Sequence, residues 1–250
     1  MSFLSKIFGS STKTNIAADL SLLKCDIHSH FIPGIDDGAE NMEQSIAMLR
    51  EFSKLGYKKV ITTPHIMSDA YRNTPEIIGE GLKKVRVALK TENIPIEIDA
   101  AAEYYLDYDF EKSIEEKKLL TFGANYVLFE LAFINPPDSL HGVIFKLLTN
   151  GYKPVLAHPE RYSFWHDDFK KYEELLEKGV LLQLNINSLT GHYSPQVKTI
   201  AERMIDQNMI SLLGSDCHRM DHINLIKHVA VYQKALHKLI ESGKLLNSAL

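Results

Sequence analysis

Two histidines and two aspartates stand close together near the start of the chain. Residues 25–39 read CDIHSHFIPGIDDGA, so His28 and His30 are one residue apart and Asp36 and Asp37 follow shortly after. Side chains at positions i and i+2 of a strand point to the same face, which lets His28 and His30 converge on one point. Two side chains that converge in this way could bind one metal ion. A single pair of this kind is weak evidence, because histidine is also an ordinary half-buried residue. A metal site therefore needs further ligands elsewhere in the chain.

Later hydrophobic runs end in residues of the same types. In chain order the runs lead to His65, to Glu103, to Glu130, to His158 with Arg161, to Asn185 and Asn187, and to Asp216 with His218. The carboxyl ends of the strands of a β/α barrel share one face, so these residues are expected to meet in one cleft. Each could alone be a buried polar group with its own partner. Together they predict a cation site.

The number and types of these side chains restrict the metal chemistry. With Asp37, the set contains five histidines and four carboxylates, more than the four to six ligands of one ion, so two or three ions are expected. The mixture of nitrogen and oxygen donors favours manganese, iron or zinc over magnesium, which prefers oxygen. Such ions activate water and polarise phosphoryl groups, so the predicted chemistry is hydrolytic.

Hydrophobic runs of strand length alternate with amphipathic segments of helical length. The pattern predicts strands at residues 22–28, 59–63, 96–101, 126–131, 154–157, 180–186 and 210–214, and helices at 42–55, 74–92, 110–118, 138–150, 167–178, 194–208 and 223–242. Thr74-Pro75 and Ser194-Pro195 each combine a capping residue with a proline suited to the first helical position. About seven β/α units without a break in composition favour one parallel α/β barrel. The predicted domain covers residues 21–250, after a flexible leader at residues 1–20.

Composition narrows the class of protein. The chain has 250 residues, of which 45% are hydrophobic and 24% charged, as in ordinary globular proteins. A net charge of -4 gives no overall electrostatic reason to expect nucleic acid as a partner. No stretch has the length of a transmembrane helix, so no stable membrane insertion is expected. The two cysteines, Cys25 and Cys217, are too few for a secreted disulfide framework and favour the cytoplasm.

The motifs DIHSH, DDG, TTPH, HPER and SDCH, in this order, resemble those of the polymerase and histidinol phosphatase (PHP) superfamily. Within it, residues 23–247 are most similar to the bacterial tyrosine-protein phosphatases of capsule and exopolysaccharide synthesis, the CpsB/YwqE type. The resemblance implies a distorted (β/α)7 TIM-like barrel and metal-dependent hydrolysis of phosphotyrosine. It also implies a cytoplasmic enzyme, peripheral to the membrane only through its partner, that acts on the tail of a bacterial tyrosine kinase. The oligomeric state is left open.

The same resemblance implies roles for individual residues. Three ions would be held, the first by His28, His30, Glu103 and Asp216, the second by Glu103, Glu130 and His158, and the third by Asp37, His65 and His218. Manganese is the expected ion, with iron or zinc as alternatives. Arg161 would bind the substrate phosphate, with a salt bridge at the rim as the other interpretation. The family's later arginine is replaced by Ile223, so Arg219 is either a second phosphate ligand or a surface residue. Asp36 is expected either to form the turn or to contact a ligand residue without binding the metal itself.

Several alternatives stay open at this point. Tyr71, Tyr104, Tyr105, Tyr162 and Phe164 are candidates for the wall of an aromatic pocket, with ordinary core packing as the other interpretation. A cysteine-based phosphatase is excluded, because it needs an arginine six residues after its nucleophile and the residues six after Cys25 and Cys217 are Phe31 and Ile223. Two rival functions are a PHP phosphoesterase for a small ester such as histidinol phosphate and a catalytically silent metal-binding docking module.

Overall fold

Parallel strands and helices alternate along the part of the chain that this computed structural model describes, residues 17–250. Within that part the strands are β1 (Cys25–Asp26), β2 (Lys59–Thr62), β3 (His65–Ile66), β4 (Glu97–Ala100), β5 (Glu103–Tyr105), β6 (Tyr126–Glu130), β7 (Lys153–Ala157), β8 (Leu181–Asn185) and β9 (Ile210–Gly214). The α-helices are α1 (Met42–Lys54), α2 (Pro75–Thr91), α3 (Tyr108–Glu115), α4 (Leu140–Thr149), α5 (Lys170–Glu177), α6 (Pro195–Asp206), α7 (Met220–Tyr232) and α8 (Lys234–Glu241). All strand pairs named below are parallel.

The strands form two sheets, in the order β1-β2-β4 and β3-β5-β6-β7-β8-β9. The sheets are related because β2 runs on into β3, and β4 into β5, after short interruptions. Proline has no N–H to give to a neighbouring strand, and Pro64 lies in the first interruption. Backbone bonding nevertheless continues, since the Glu103 N–H donates to the Pro64 carbonyl over 3.1 Å. Residues 17–250 thus supply seven strand segments, as the sequence predicts.

The residues that follow β1 and β9, the first and last strands, are hydrogen-bonded to each other beyond the ends of the regular strand pairs. The Asp216 N–H donates to the His28 carbonyl over 2.8 Å, and the His30 N–H donates to the Cys217 carbonyl over 3.0 Å. The buried Asp26 carboxylate adds bonds to the N–H and hydroxyl of Ser215, 2.8 and 2.9 Å long. The result is the predicted distorted (β/α)7 barrel, in which the hydrogen-bonded strands do not form one uninterrupted sheet.

Local chemistry fixes the helix starts as predicted. The Thr74 hydroxyl accepts a hydrogen bond from the Ile77 N–H, and the Ser194 hydroxyl accepts one from the Val197 N–H, with a proline following each cap. These bonds satisfy N–H groups that lack a partner in the first helical turn. The strands behind them are apolar on both faces, as expected for a parallel sheet covered by helices. Side chains such as Val127, Phe129 and Leu184 are fully buried.

Two predicted elements are wrong. The first strand covers only Cys25–Asp26, because Leu20–Leu23 form a 3-10 helix in which the Ser21 N–H donates to the Asp19 carboxylate. The single closing helix is in fact two, α7 and α8, separated by Gln233 in an extended conformation. The Gln233 side-chain amide donates to the Leu189 carbonyl and to Glu202, which stabilises the break.

The predicted leader at residues 1–20 lies mostly outside the described residues. Of its last four residues, Ala18 and Leu20 are buried, and the Ala18 N–H donates to the Ala230 carbonyl over 2.6 Å. Packing therefore begins before Ser21. Among residues 17–250, no helix has both the length and the apolar character needed to cross a membrane.

Candidate metal centre and active site

The carboxyl ends of the strand segments bring all nine predicted metal ligands into one cluster. Its members are His28, His30, Asp37, His65, Glu103, Glu130, His158, Asp216 and His218. Most of them are buried, and the carboxylate of Asp37 at the mouth is the most exposed, at 53% of its side chain. Convergence of residues from distant parts of the sequence follows from the parallel strands, whose carboxyl ends share one face.

Glu103 lies at the centre of the cluster. Its Oε2 is 3.1 Å from His28 Nε2, 3.2 Å from His65 Nδ1 and 3.6 Å from His30 Nε2. The other oxygen, Oε1, is 3.0 Å from His158 Nε2. One buried carboxylate therefore contacts four imidazoles, which suits a ligand shared between ions.

Asp216 divides its two oxygens between different partners. Oδ1 lies 3.4 Å from His28 Nε2 and 3.5 Å from His30 Nε2. Oδ2 accepts hydrogen bonds from Arg161 Nη1 at 3.0 Å and from Asn185 Nδ2 at 2.8 Å. The carboxylate thus joins the histidine cluster to the cleft arginine.

The remaining carboxylates, Glu130 and Asp37, both contact His65. Glu130 Oε1 is 3.2 Å from His65 Nδ1, and its Oε2 is 3.9 Å from His158 Nε2. Asp37 Oδ1 is 3.5 Å from His65 Nε2 and 3.4 Å from His218 Nε2. His65 therefore offers one ring nitrogen to the buried part of the cluster and the other towards its mouth.

The geometry defines four overlapping groups whose ligand atoms lie within 4.8 Å of one another. They are His30 with Asp37, His65 and His218; His28 with His30 and Glu103; His28 with His158 and Asp216; and His65 with Glu103 and Glu130. The three residues predicted to hold the third ion, Asp37, His65 and His218, all belong to the first of these groups. The ligands predicted for the first ion, and those predicted for the second, are each spread over more than one group. The nine residues come together as predicted, but the groups overlap too much to assign each ligand to one ion.

Electrostatics within the cluster favour the charged forms of His28 and Glu103. Burial opposes protonation of His28, but the carboxylates of Glu103 and Asp216 outweigh it and raise the pKa of the imidazole to about 9. Burial likewise favours a neutral Glu103, yet His28 and His65 keep the pKa of its carboxyl well below the usual range. Buried carboxylates of this kind need cationic partners close by.

Unsatisfied imidazole nitrogens show that the residues fit metal ions. His30 Nε2 and His65 Nδ1 are buried and form no hydrogen bond, although carboxylate oxygens lie 3.2–3.6 Å away. Buried polar atoms without a partner are rare, and coordination would satisfy these two. Nitrogen and carboxylate oxygen together suit transition metals better than magnesium.

The backbone is strained at two cluster residues. His158 and Asp216 have φ values of 33° and 49°, in the left-handed region that non-glycine residues rarely adopt. Each follows the end of a barrel strand, where the turn directs its side chain into the cluster. Strain of about 1–3 kcal/mol per residue persists only where the surrounding structure holds it, as at binding sites.

A cleft of about 560 Å³ opens over the cluster. Its lining includes Asp37, His65, Glu103, Glu130, His158, Asp216 and His218, together with Met67, Tyr71, Tyr105, Ala132, Phe133, Ile134, Arg161, His192, Tyr193, Arg219 and His222. Both predicted arginines thus border it, Arg161 at the wall and Arg219 as an exposed residue preceding α7. The cleft places guanidinium groups and aromatic rings beside the cluster.

Comparison with known proteins identifies the family. The family model described as capsular polysaccharide synthesis, CpsB/CapC, matches residues 24–238. The chain belongs to the CpsB/CapC family. Tyrosine-protein phosphatase YwqE of Bacillus subtilis is 31% identical over 208 residues, covering 83% of this chain and 82% of YwqE. Tyrosine-protein phosphatase CpsB of Streptococcus pneumoniae is 28% identical over 202 residues, covering 78% of this chain and 83% of CpsB.

The CpsB/CapC assignment extends to the fold. A crystal structure from work on YwqE and CpsB, described as unique metal-dependent tyrosine phosphatases, superposes with a TM-score of 0.79 at 29% identity. It covers 90% of this chain and 94% of the other. The fold described above is therefore that of a family with metal-dependent members.

The five candidate aromatic residues divide between the two interpretations that the sequence left open, the cleft wall of this CpsB/CapC protein and core packing. Tyr71 and Tyr105 line the cleft, as predicted. Tyr104 and Tyr162 are instead buried in the core, where their hydroxyls accept bonds from the backbone of Leu120 and Leu131. Phe164 packs against the core as well. Phe133 and Tyr193 border the cleft instead, and no sequence motif marks either of them.

Two polar residues behind the cluster orient its histidines. Asp36 Oδ2 lies 2.8 Å from His30 Nδ1, and Gln183 Oε1 lies 2.8 Å from His28 Nδ1. Such partners fix the ring orientation of a ligating histidine. The supporting role proposed for Asp36 fits this contact. Gln183 was missed, although a glutamine within the apolar strand LLQLN is a signal that could have identified it.

Neither cysteine is suited to nucleophilic catalysis. Cys25 and Cys217 are both buried free thiols. Burial, with the nearby Asp26 carboxylate, raises the pKa of the Cys25 thiol to about 12, and burial raises that of Cys217 well above its usual value. A thiolate is the reactive form, so the structure agrees with the sequence in excluding a cysteine mechanism.

Proposed function

We propose that this CpsB/CapC protein is a metal-dependent protein-tyrosine phosphatase. The single observation that carries the proposal is the position of Glu103, one carboxylate in contact with four imidazoles at the base of an open cleft bordered by Arg161. Ions bound in the cluster would lower the pKa of bound water and neutralise charge on the phosphoryl oxygens. The curated relatives described above are tyrosine-protein phosphatases.

The proposed ligands are the nine side chains of the cluster, His28, His30, Asp37, His65, Glu103, Glu130, His158, Asp216 and His218. Up to three ions would be bound, with manganese expected and iron or zinc as alternatives. Asp216 would act as a ligand through Oδ1 while its Oδ2 stays bonded to Arg161. Glu103 has the contacts expected of a ligand shared between ions.

Arg161 is proposed to bind the substrate phosphate. Its guanidinium is bonded to Asp216 at one nitrogen, which leaves further donors on the cleft side for phosphoryl oxygens. Arg219, exposed at the rim, would add positive charge to the approach. A phenolate leaves readily because the pKa of tyrosine is about 10, so the site has little need of a strong general acid.

The proposed substrate is a tyrosine-phosphorylated protein, specifically the tail of a bacterial tyrosine kinase that regulates polysaccharide export. A chain segment rather than a small ester fits the cleft, which is open and bordered by exposed apolar side chains such as Phe133 and Ile134. The cytoplasm is the proposed location, because both cysteines are free.

Turnover on a tyrosine-phosphorylated peptide and on histidinol phosphate, with Mn²⁺ supplied, tests the proposal. We expect clear preference for the peptide, loss of activity on chelation and recovery on adding Mn²⁺. The His30→Ala variant should lose activity, while His237→Ala on α8 serves as a matched control. Preference for the small ester would contradict the proposed substrate. Absence of turnover with metal bound would indicate a silent docking module.

A further inference from the structure

Arg161 is held between two aromatic rings. Its guanidinium carbon lies 4.2 Å from the centroid of the Tyr193 ring and 4.8 Å from that of Phe133. One nitrogen, Nη1, donates to Asp216 Oδ2 over 3.0 Å. Among residues 17–250, this is the one hydrogen bond that the guanidinium makes to a protein acceptor. The rings therefore restrain the guanidinium group, and its other donors remain for a ligand.

The hydroxyl of Tyr193 is linked through Asn185 to Asp216, one of the predicted metal ligands. Its hydroxyl accepts a hydrogen bond from Asn185 Nδ2 over 2.9 Å, and the same nitrogen donates to Asp216 Oδ2 over 2.8 Å. The buried Asn185 amide is itself fixed, because its Oδ1 accepts from the Asn187 N–H over 3.0 Å. Since Oδ2 of Asp216 is held in this way, Oδ1 faces His28 and His30.

We propose that Tyr193 is a positioning residue for both halves of the site. Its ring holds Arg161 against the cleft wall, and its hydroxyl, through Asn185, fixes the orientation of the Asp216 carboxylate. The inference rests on the proposed function, which gives Arg161 the phosphate and Asp216 a metal ion. An arginine has many rotamers, so a side chain that restrains it beforehand reduces the entropy lost on binding.

Two substitutions separate the roles of the ring and the hydroxyl. Tyr193→Phe keeps the ring over Arg161 and removes the acceptor for Asn185, whereas Tyr193→Leu removes both. We would measure the Kd of inorganic phosphate for Mn²⁺-loaded protein and the Kd of Mn²⁺ itself by titration calorimetry. Neither readout requires turnover.

Each variant has its own expected pattern. For Tyr193→Phe, phosphate affinity should stay at the wild-type value while Mn²⁺ affinity falls about three- to tenfold. For Tyr193→Leu, Mn²⁺ affinity should fall equally and phosphate affinity should also fall about three- to tenfold. The same two substitutions at Tyr126, which begins β6 at the end of the barrel remote from the cleft, are the matched controls. Neither control should change the two affinities.

The outcomes distinguish this proposal from the proposed function. Wild-type Mn²⁺ affinity in Tyr193→Phe would overturn the inference, as would wild-type phosphate affinity in a folded Tyr193→Leu. If Tyr193→Leu does not fold, the Mn²⁺ affinity of Tyr193→Phe decides alone. Wild-type protein that binds Mn²⁺ and phosphate but does not hydrolyse phosphotyrosine would contradict the proposed function and leave the role of Tyr193 intact.

Discussion

The side-chain amide of Asn247 pairs with both backbone polar groups of Leu213. Asn247 Oδ1 accepts from the Leu213 N–H over 2.9 Å, and Nδ2 donates to the Leu213 carbonyl over 2.7 Å. The same nitrogen donates to the Cys25 carbonyl over 2.9 Å. One buried side chain near the end of the chain thus supplies bonds that the first and last strands, β1 and β9, do not make with each other.

Removal of this amide is expected to destabilise the fold. In Asn247→Ala the N–H of Leu213 and two carbonyls would be left buried without partners, which costs about 1–3 kcal/mol for each unsatisfied group. We expect the free energy of unfolding to fall by at least about 2 kcal/mol. Urea denaturation of the metal-free protein measures it, with the exposed neighbour Ser248→Ala as control. Equal stability of the two variants would contradict this account.

The cluster was predictable because its residues follow a rule of the fold, whereas its supporting contacts do not. Parallel strands bring their carboxyl ends together, so histidines and carboxylates at strand ends had to converge. The contact between His28 and Gln183 joins positions 155 residues apart and depends on the register of β8. The same holds for Tyr193, which lies in a loop and meets Arg161 only once the barrel has formed.

The two errors in the predicted secondary structure are each explained by particular hydrogen bonds. The apolar Leu22 and Leu23 extended the predicted first strand, but the Asp19 carboxylate bonds the Ser21 N–H and favours a 3-10 turn there. Hydrophobic periodicity continued across Gln233, so one helix was predicted where tertiary bonds of its side chain stabilise two. Periodicity reports which face is buried, and it does not report where the backbone changes direction.

Metal content should respond unequally to substitution of the cluster carboxylates. Glu103 contacts four imidazoles and belongs to two of the four groups, whereas Asp37 is half-exposed and belongs to one. After Mn²⁺ loading and desalting, elemental analysis should find that Glu103→Gln loses more ions per chain than Asp37→Asn. Glu97→Gln, at the start of β4, should retain the wild-type content. The reverse order would contradict a shared role for Glu103.

Loss of the partner behind a histidine should weaken metal binding without removing a ligand. Asp36 bonds His30 Nδ1 at 2.8 Å and also accepts from the Gly38 N–H at 3.0 Å, so it fixes both ring and turn. In Asp36→Asn we expect Mn²⁺ affinity to fall about 10–100-fold, the usual effect of removing such a partner. Titration of the metal-free protein with Mn²⁺ measures it, with Glu40→Gln in the same loop as control. A change confined to thermal stability would mean that Asp36 only supports the turn.

The two cleft arginines should differ in their contribution to turnover. Arg161 is stacked between Phe133 and Tyr193 and bonded to Asp216, so its position is fixed before substrate binds. Arg219 is exposed and, among residues 17–250, forms no ion pair with a carboxylate within 4.0 Å. Arg161→Lys keeps the charge but loses the planar donors, and kcat/KM for a phosphotyrosine peptide should fall about 100-fold. Arg219→Lys should change it less than about threefold, since a screened rim charge contributes little.

A matched substitution separates stacking from catalysis. Arg203 stacks on Phe169, with its guanidinium carbon 3.7 Å from the ring centroid, on α6 and outside the cleft lining. Arg203→Lys should lower stability slightly and leave kcat/KM at the wild-type value. Salt supplies a second criterion, because raising the ionic strength should reduce any effect of Arg219 and preserve that of Arg161. If Arg219→Lys caused the larger loss, the phosphate would lie at the rim, and the phosphate-binding role would pass from Arg161 to Arg219.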